Sequence, residues 1–250
     1  MTLGVLQLGC DSDQPLIMNN SSQDESRLVW FFFEHRAQGV FIEVGANHPT
    51  QGSQTWFLEQ QGWTGILIEP NPELFKLLCE QRPRNQVIQS AVGAQMGEVD
   101  LLLGVNHLHS TLAPVLGDPL SEEKVRVPLR TLDSIIAESR IKKIDFLSID
   151  VEGMELQVLL GLDLEKHRPE LILLEEHRRD YAKHFHLRRH GYRLVKRTGR
   201  NNWYVPANSP ATVRTLNTPA EMFQLWRKMW LNPPFDNLKR RIRKWFAPKA

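Results

Sequence analysis

The sequence predicts an α/β fold: a doubly wound, mostly parallel seven-stranded sheet with helices on both faces and an antiparallel terminal hairpin. Short apolar runs, such as 40–44, 66–68 and 144–149, alternate with segments of helical spacing. Such alternation is typical of a parallel sheet with crossover helices. The run at 144–149 is mostly apolar, as expected of a strand buried on both faces. Two closing strands, at 192–196 and 203–205, predict the hairpin.

Before the first strand, the chain predicts one buried helix. Ser22 and Glu25 form a capping box, from which we expect a helix as far as Ala37, ended by Gly39. Residues 28–33 are apolar without interruption. A helix that is apolar nearly all round is expected to lie in the core.

The remaining elements are placed by glycine, proline and apolar spacing. Gly62 and Gly191 are expected to end helices, and Pro72 to begin one, because a missing N–H costs little at the first helical position. The predicted helices are 55–61, 72–81, a short one from Asp133, 155–160 and a charged helix through Arg188; the predicted strands are 63–69, 87–92, 97–103, 125–129 and 169–174.

Length and composition restrict the class of protein. The 250 residues suit one α/β domain with extensions, which we place at 1–38 (lead and helix), 39–206 (ligand-binding domain) and 207–250 (C-terminal extension). Two cysteines cannot make a disulfide framework, so we expect a reducing, cytoplasmic location. No apolar run approaches the roughly 18 residues that a membrane span needs. We expect no nucleic-acid partner.

The stretch from Val40 to Pro72 gives the strongest indication of a ligand. A strand ends at Gly45, a helix follows, and a second strand ends at Glu69. Glycine lets the backbone approach a ligand closely, and a carboxylate at a strand end can accept both hydroxyls of a ribose. The next glycine is Gly52, so the G-x-G-x-x-G pattern of a NAD site is absent. A ribose-containing ligand without a pyrophosphate fits better, and S-adenosylmethionine (SAM) is the common one.

Several motifs then resemble those of the FkbM-type SAM-dependent methyltransferases. That family pairs a GAN turn with an S-[NQ]-T…LE segment and a GW-x-GI-x-IEP strand. The matching segments here are GVFIEVGAN (39–47), SQTWFLEQQGWTGILIEPNP (53–72), SAVG (90–93), STL (110–112) and DFLSIDVEGMELQVLLGLD (145–163). The resemblance runs from about residue 23 to residue 205, and it departs at His48-Pro49, where the family often has Asp-Gly.

This resemblance, together with the chemistry of the residues, suggests how SAM is held. Glu69 is expected to bind the ribose diol, Gly45 and Asn47 to line the methionine moiety, and the pair 90–91 to border the adenine. Glu43 is expected either to organise the turn or to reach the ammonium group of SAM through water. The predicted cofactor-binding residues are Glu43, Gly45, Asn47, Glu69, Pro70, Ser90 and Ala91.

The resemblance also implies an activity, methyl transfer from SAM to a hydroxyl group. The expected acceptor belongs to a sugar, a glycan, a lipid head group or a natural product. An alternative is a binding protein that keeps the SAM fold but has lost turnover, and His48-Pro49 is the feature that favours it. An NAD-dependent oxidoreductase is disfavoured by the missing glycines.

Carboxylates collect where the predicted strands end. In chain order these ends are 43–45, 69, 90–91, 150–152 and 175–177, and four of the five groups contain acids. Ligands of open α/β sheets lie beyond the carboxyl ends of the strands. Clustered acids repel one another and lose solvation on burial, so we interpret them as a shared ligand or metal site.

Four of these residues are candidates for catalysis. Asp150, Glu152, Glu175 and His177 could each act as the general base that removes the acceptor's proton, and we favour Asp150 with His177. The three carboxylates could instead bind a divalent metal that lowers the pKa of the acceptor. Plainer interpretations are a helix N-cap for Asp150 and a solvated loop residue for His177.

Other histidines suggest less. His184, His186 and His190 could be taken for a metal cluster, but residues two apart on a helix point to different faces, which favours a solvated charged helix. His107 and His109 lie beside the STL segment, where contact with the substrate and a purely structural role are equally compatible with the sequence.

The tail forms a separate feature. Residues 236–250 carry a net charge of +5, whereas the whole chain carries +2. Leu238, Ile242, Trp245 and Phe246 recur there at helical spacing. A basic amphipathic helix suits peripheral contact with an anionic membrane or an acidic partner. Packing of this helix on its own domain is the other interpretation.

Overall fold

A computed structural model describes residues 22–104, 120–176 and 181–209, together with Phe223. The predictions for His107, His109 and His177 lie outside the described residues, as do those for the tail beyond 209, Phe223 apart. Among the helices that are described, none has the length and apolar character to cross a bilayer.

Strands and helices alternate over most of the described chain. The strands are β1 Val40–Val44, β2 Thr64–Ile68, β3 Gln86–Ile88, β4 Ala91–Val92, β5 Gly97–Gly104, β6 Leu120–Arg130, β7 Phe146–Ile149, β8 Leu171–Glu175, β9 Tyr192–Thr198 and β10 Asn201–Pro206. The helices are α1 Ser22–Phe32, α2 Trp56–Gln60, α3 Pro72–Gln81, α4 Leu132–Glu138, α5 Glu155–Leu160, α6 Leu164–His167 and α7 Tyr181–Arg189. Within the described residues all the predicted helices are present, and the four-residue α6 is an addition to the prediction.

A seven-stranded sheet forms the centre of the fold. Its strand order is β3-β2-β1-β7-β8-β10-β9. The pairs among β3, β2, β1, β7 and β8 are parallel, and β10 runs antiparallel to both of its neighbours. The predicted fold class, a mostly parallel doubly wound sheet with an antiparallel terminal hairpin, is confirmed.

Two hydrophobic clusters lie on opposite faces of this sheet. Consecutive residues of a strand point to opposite faces, so Phe41 and Ile42 fall into different clusters. Buried residues of α1, α2 and α3 share the cluster of Phe41, and those of α4 to α7 share the cluster of Ile42. The predicted burial of the apolar run in α1 is confirmed for Leu28, Val29 and Phe32.

The first helix ends earlier than predicted. It stops at Phe32, because Glu34 and His35 adopt left-handed backbone conformations with φ of 52° and 60°. The carbonyl of Arg36 then accepts hydrogen bonds from the indole N–H groups of Trp30 and Trp63. These long-range contacts favour a turn where the sequence has no helix-breaking residue before Gly39.

The predicted strand at 87–92 is two strands in different sheets. β3 pairs with β2 in the large sheet, whereas β4 pairs with β6 in a small sheet of order β4-β6-β5. Between them, the buried hydroxyl of Ser90 donates to the carbonyls of Ala91 and Pro128. The polar residue at this position satisfies backbone groups where the chain passes from one sheet to the other.

Candidate functional site

The carboxyl ends of four parallel strands lie side by side. Val44 of β1 pairs with Ile68 of β2 on one side and with Ile149 of β7 on the other, and Ile149 pairs in turn with Leu174 of β8. The residues that follow each strand therefore meet at one edge. This register brings the predicted turn and the predicted acids together.

Most of the predicted site residues line a single cavity of about 470 Å³ at that edge. All seven predicted cofactor-binding residues line it: Glu43, Gly45, Asn47, Glu69, Pro70, Ser90 and Ala91. So do three of the four predicted catalytic residues, Asp150, Glu152 and Glu175. The sequence analysis missed other lining residues, among them Gln54 and Arg200.

Gly45 is placed where only glycine fits. Its φ is +79°, and an added Cβ would lie 1.9 Å from the carbonyl oxygen of Asp150. The N–H groups of Gly45 and Ala46 both donate to the carbonyl of Ile68. The turn after β1 is therefore held close against both neighbouring strands, as the glycine in the sequence predicted.

Glu69 is a buried carboxylate held by backbone groups. Its two oxygens accept hydrogen bonds from the N–H of Asn47, at 2.8 Å, and of Asn71, at 2.9 Å. Burial raises the pKa of Glu69 to about 7, against the opposing effect of the two backbone hydrogen bonds. The carboxylate is thus held in place between the turn that contains Asn47 and the start of α3.

Glu43 is engaged by the start of α2. One oxygen accepts from the N–H of Gln54 at 2.7 Å, and the hydroxyls of Ser53 and Thr55 donate to the other. Burial raises the pKa of Glu43, and the nearby guanidinium of Arg82 acts in the opposite direction. Of the two roles expected for Glu43, these contacts favour organising the turn.

The segment after the glycine turn is shaped by the two residues that depart from the family pattern. The ring nitrogen Nδ1 of His48 accepts from the N–H groups of Thr50 and Gln51, at 3.2 and 3.0 Å. The carbonyl of Pro49 accepts from the buried Arg82 at 2.9 Å. His48-Pro49 therefore forms an ordered turn in the cavity wall.

Asp150, Glu152 and Glu175 converge at the other end of the cavity. Each offers a carboxylate oxygen, and these oxygens lie within 4.8 Å of one another. Burial raises the pKa of Glu175, a hydrogen bond with Asp150 opposes this, and the charges of Glu152 and Glu155 reinforce it. The cluster can share a proton, and it has the oxygen ligands that a divalent cation prefers.

A buried lysine contacts the residues that flank this acidic cluster. Nζ of Lys183 lies 2.8 Å from Glu155 and 3.4 Å from Glu176, and it donates to the carbonyl of Glu175. The other oxygen of Glu155 accepts from the N–H of Gly153 in the turn that carries Glu152. The predicted solvated helix α7 thus contributes one buried cation, which links the loops after β7 and β8.

The histidines of α7 are partly buried, whereas the sequence favoured a solvated helix. Burial lowers the pKa of both His184 and His186. The rings of His186 and His190 lie 4.4 Å apart, but within the described part of the chain only the acidic cluster gathers three potential metal ligands.

Comparison with known proteins gives a family model and a curated relative that match this chain. Residues 43–194 match the family model described as "Methyltransferase FkbM domain". The AMB antimetabolite synthetase AmbE of Pseudomonas aeruginosa (strain PAO1) is 40% identical to the chain over 119 residues. That match covers 40% of this chain and 6% of AmbE, so the chain corresponds to a small part of that relative.

Three solved structures resemble this chain to a limited extent. A TehB-like SAM-dependent methyltransferase from Corynebacterium glutamicum is 12% identical, with a TM-score of 0.37, over 72% of this chain and 84% of that one. The precorrin-6y C5,15-methyltransferase of Geobacter metallireducens is 15% identical, with a TM-score of 0.39, over 73% and 86%. A methyltransferase-like protein from Silicibacter pomeroyi is 13% identical, with a TM-score of 0.40, over 86% and 96%.

Proposed function

We propose that this chain, which belongs to the FkbM methyltransferase family, transfers a methyl group from SAM to a hydroxyl group of a sugar, glycan, lipid head group or natural product. Family membership makes the protein a SAM-dependent methyltransferase. The hydroxyl acceptor is the part we propose. The observation that carries it is one cavity whose lining includes Glu69, the carboxylate predicted to bind the ribose, and a cluster of potential bases around Asp150.

The cavity fits SAM in size and chemistry. Its volume of about 470 Å³ lies within the usual range for small-molecule sites. Glu69 would hold the ribose hydroxyls, the turn at Gly45 and Asn47 would lie against the methionine moiety, and Ser90 with Ala91 would border the adenine. An added Cβ at Gly45 would clash with the carbonyl oxygen of Asp150, so any larger residue would displace the turn that lines the cavity.

The proposed mechanism is positioning followed by proton removal. When bound, SAM supplies an electrophilic methyl group on a sulfonium. Holding the acceptor hydroxyl in line with that group contributes up to roughly 7–11 kcal/mol in the best cases. Asp150 is exposed to the cavity and would accept the hydroxyl proton, which is worth roughly 10²–10⁴-fold. Glu175, whose pKa is raised by burial, would orient Asp150 by their hydrogen bond.

A divalent metal is the second way in which this cluster could act. Asp150, Glu152 and Glu175 would hold the cation, whose charge would lower the pKa of the acceptor hydroxyl. The predicted role of His177 beside Asp150 remains a prediction, since His177 lies outside the described residues.

The likeness to a segment of an antimetabolite synthetase favours a natural product among the four acceptor classes. We therefore place hydroxylated natural products first in an acceptor screen, followed by sugars, glycans and lipid head groups. Release of S-adenosylhomocysteine (SAH) is measured for each with purified protein and SAM. Acceptor-dependent release with a hydroxyl compound, and methylated oxygen in the product by mass spectrometry, is the expected result. Methylation of nitrogen, carbon or sulfur would contradict O-methylation.

A chelator then separates the two mechanisms. Activity that survives the chelator favours proton removal by Asp150. Activity that is lost and then restored by magnesium or manganese favours metal binding by the three carboxylates.

A further inference from the structure

Arg200 is a cationic residue in the wall of an otherwise acidic cavity. Five carboxyl residues line that cavity: Glu43, Glu69, Asp150, Glu152 and Glu175. Within the part of the lining that the structure describes, Arg200 is the one lysine or arginine. Its side chain is 69% exposed, so the guanidinium is accessible to a ligand in the cavity.

The backbone of Arg200 is held in the turn of the β9–β10 hairpin. Arg200 directly precedes β10, whose first residue, Asn201, pairs with Glu175 at the end of β8. The carbonyl of Arg200 accepts a hydrogen bond of 3.0 Å from the N–H of Glu176. The side-chain amide of Asn201 donates to the buried Glu25 of α1. The side chain of Arg200 therefore starts from a fixed point beside the acidic cluster.

The contact of Arg200 with Glu175 leaves it able to bind a ligand. Nη1 of Arg200 lies 4.0 Å from Oε1 of Glu175, which is longer than a hydrogen bond, and an exposed pair of this kind contributes little to stability. A guanidinium carries five N–H donors in a planar fork that matches two oxygens of a carboxylate or a phosphate. Arg200 can therefore bind an anion while it stays next to Glu175.

The place of Arg200 in the sheet favours an anion of the acceptor over the carboxylate of SAM. The methionine moiety is expected at the turn after β1, whereas Arg200 neighbours Glu175 at the end of β8. Strand β7 lies between β1 and β8, so the ends of these two strands are roughly 10 Å apart. Glu175 belongs, with Asp150, to the cluster at which the acceptor hydroxyl is expected. An anionic group close to that hydroxyl would reach Arg200.

We propose that Arg200 selects acceptors that carry an anionic group, a carboxylate or a phosphate, within a few bonds of the hydroxyl that is methylated. This inference rests on the proposed function, because it takes the acceptor hydroxyl to lie at Asp150. Arg200 is then a residue that determines specificity for the acceptor and takes no part in binding SAM. A neutral acceptor lacks this contact, so its affinity depends on the rest of the cavity alone.

Matched pairs of anionic and neutral hydroxyl compounds test this preference. The pairs are lactate with lactamide, mandelate with mandelamide, and glycerol phosphate with glycerol, and the last pair distinguishes phosphate from carboxylate. Ligand-observed NMR gives the dissociation constants for the SAH-saturated wild type and for Arg200→Gln. In at least one pair the wild type should bind the anion about tenfold or more tightly, as for hydrogen bonds to a charged group. Arg200→Gln should bind the neutral member at least as tightly as the anion, because the carboxylates that remain repel the anion.

Two further variants serve as controls. Arg193→Gln removes the same charge from an exposed arginine of β9, in the same hairpin but outside the cavity lining, and should keep the wild-type preference. Arg200→Lys keeps the charge without the planar fork and should show a smaller preference for the anion. The affinity for SAH should stay within about twofold of the wild type in all three variants, since none of them removes a residue of the proposed cofactor site.

Two results would overturn the inference. One is a wild type that binds no anion of the series more tightly than its neutral partner, which requires no variant. The other is a folded Arg200→Gln variant that keeps the preference for the anion; if its SAH affinity falls as well, Arg200 binds the carboxylate of the cofactor instead. A wild type that does not bind SAH would remove the proposed function, and with it this inference.

Discussion

We expect SAM binding to depend on pH through Glu69. Its carboxyl is buried, and desolvation raises its pKa to about 7. The ribose hydroxyls are donors, so they favour the ionised form and compete with the proton. The ionised fraction falls as the pH drops below the pKa, and we expect the dissociation constant of SAH to rise about tenfold for each pH unit below 6.

Calorimetry of SAH binding between pH 5 and pH 8 measures this dependence. Glu69→Gln removes the titrating group and serves as the control. Its affinity should be weaker than that of the wild type at pH 8 and nearly constant over the whole range. A wild-type affinity that does not change between pH 5 and pH 8 would argue against Glu69 as the ligand of the ribose.

Asp150 is expected to act in the chemical step and not in cofactor binding. Asp150→Asn keeps the shape of the side chain but removes its basicity or its charge toward a metal. We predict that turnover falls by roughly 10²-fold or more, while the affinity for SAH changes less than about threefold. Single-turnover assays with an acceptor from the screen, together with calorimetry, measure the two quantities. Unchanged turnover would reduce Asp150 to a structural residue of the turn after β7.

At the level of single residues, the sequence predicted which residues line the cavity better than it predicted the contacts that those residues make. Gly45, Glu69 and Asp150 follow strands that pair in parallel register, so they meet at one edge once the strand ends are known. Gln54 could not be recognised in this way. It lies in the cavity wall and its side-chain oxygen is buried, and neither property shows in the local sequence pattern.

At the level of elements, a buried arginine joins α3 to the cavity loop. Arg82 follows α3, is fully buried, and pairs with Glu59 of α2. It also donates to the carbonyl of Pro49 and to the hydroxyl of Thr55. The loop from 49 to 55 is therefore held by one guanidinium that carries five N–H donors.

Two arginines that contact the same carboxylate provide a matched pair for testing this element. Arg82→Met leaves Glu59 buried beside an apolar side chain, and we expect the free energy of unfolding to fall by roughly 3–5 kcal/mol. Arg84→Met removes an arginine whose side chain is 52% exposed, and we expect a loss of at most about 1 kcal/mol. Denaturant unfolding measures both. Equal losses of unfolding free energy in the two variants would show that burial does not determine how much Arg82 contributes to stability.

The ends of helices and strands could be predicted only where residues nearby in the sequence mark them. α3 and α5 match their predicted ranges, because Pro72 and Gly161 mark their ends locally. The end of α1 does not, since it depends on indole groups that donate to Arg36, one of them from Trp63, 27 residues later. The division of the strand at 87–92 likewise depends on a partner, β6, that the local sequence does not contain.

At the level of the whole molecule, the described body gathers Asp150, Glu152 and Glu175 at one edge of the sheet, and the chain continues into a basic tail. Residues 236–250, outside the described residues, carry a net charge of +5 with Leu238, Ile242, Trp245 and Phe246 at helical spacing. We propose that this tail binds an anionic membrane surface and brings the enzyme to a membrane-borne acceptor. Each basic residue contributes about 1 kcal/mol near such a surface, less at high salt.

Deleting residues 236–250 tests the tail. The full chain should sediment with anionic liposomes at low salt, and not with neutral liposomes, whereas the deletion variant should sediment with neither. SAH affinity and melting temperature should be unchanged, because the proposed contact is with the membrane and not with the body. A melting temperature lowered by several degrees, without liposome binding by the full chain, would assign the tail to the folded body instead.

We propose that the cavity beside Glu69 is the site at which this methyltransferase binds SAM. Calorimetry with SAH, SAM and NAD tests it most directly, using the wild type, Glu69→Ala and the exposed control Glu73→Ala. We predict that the wild type binds SAH and SAM more tightly than NAD. Glu69→Ala should lose roughly 1.5–3 kcal/mol of SAH binding, since two hydroxyls lose a charged acceptor, and Glu73→Ala should lose almost none. Equal SAH affinity in wild type and Glu69→Ala, or tighter binding of NAD than of SAM, would show that this cavity is not a SAM site built around Glu69.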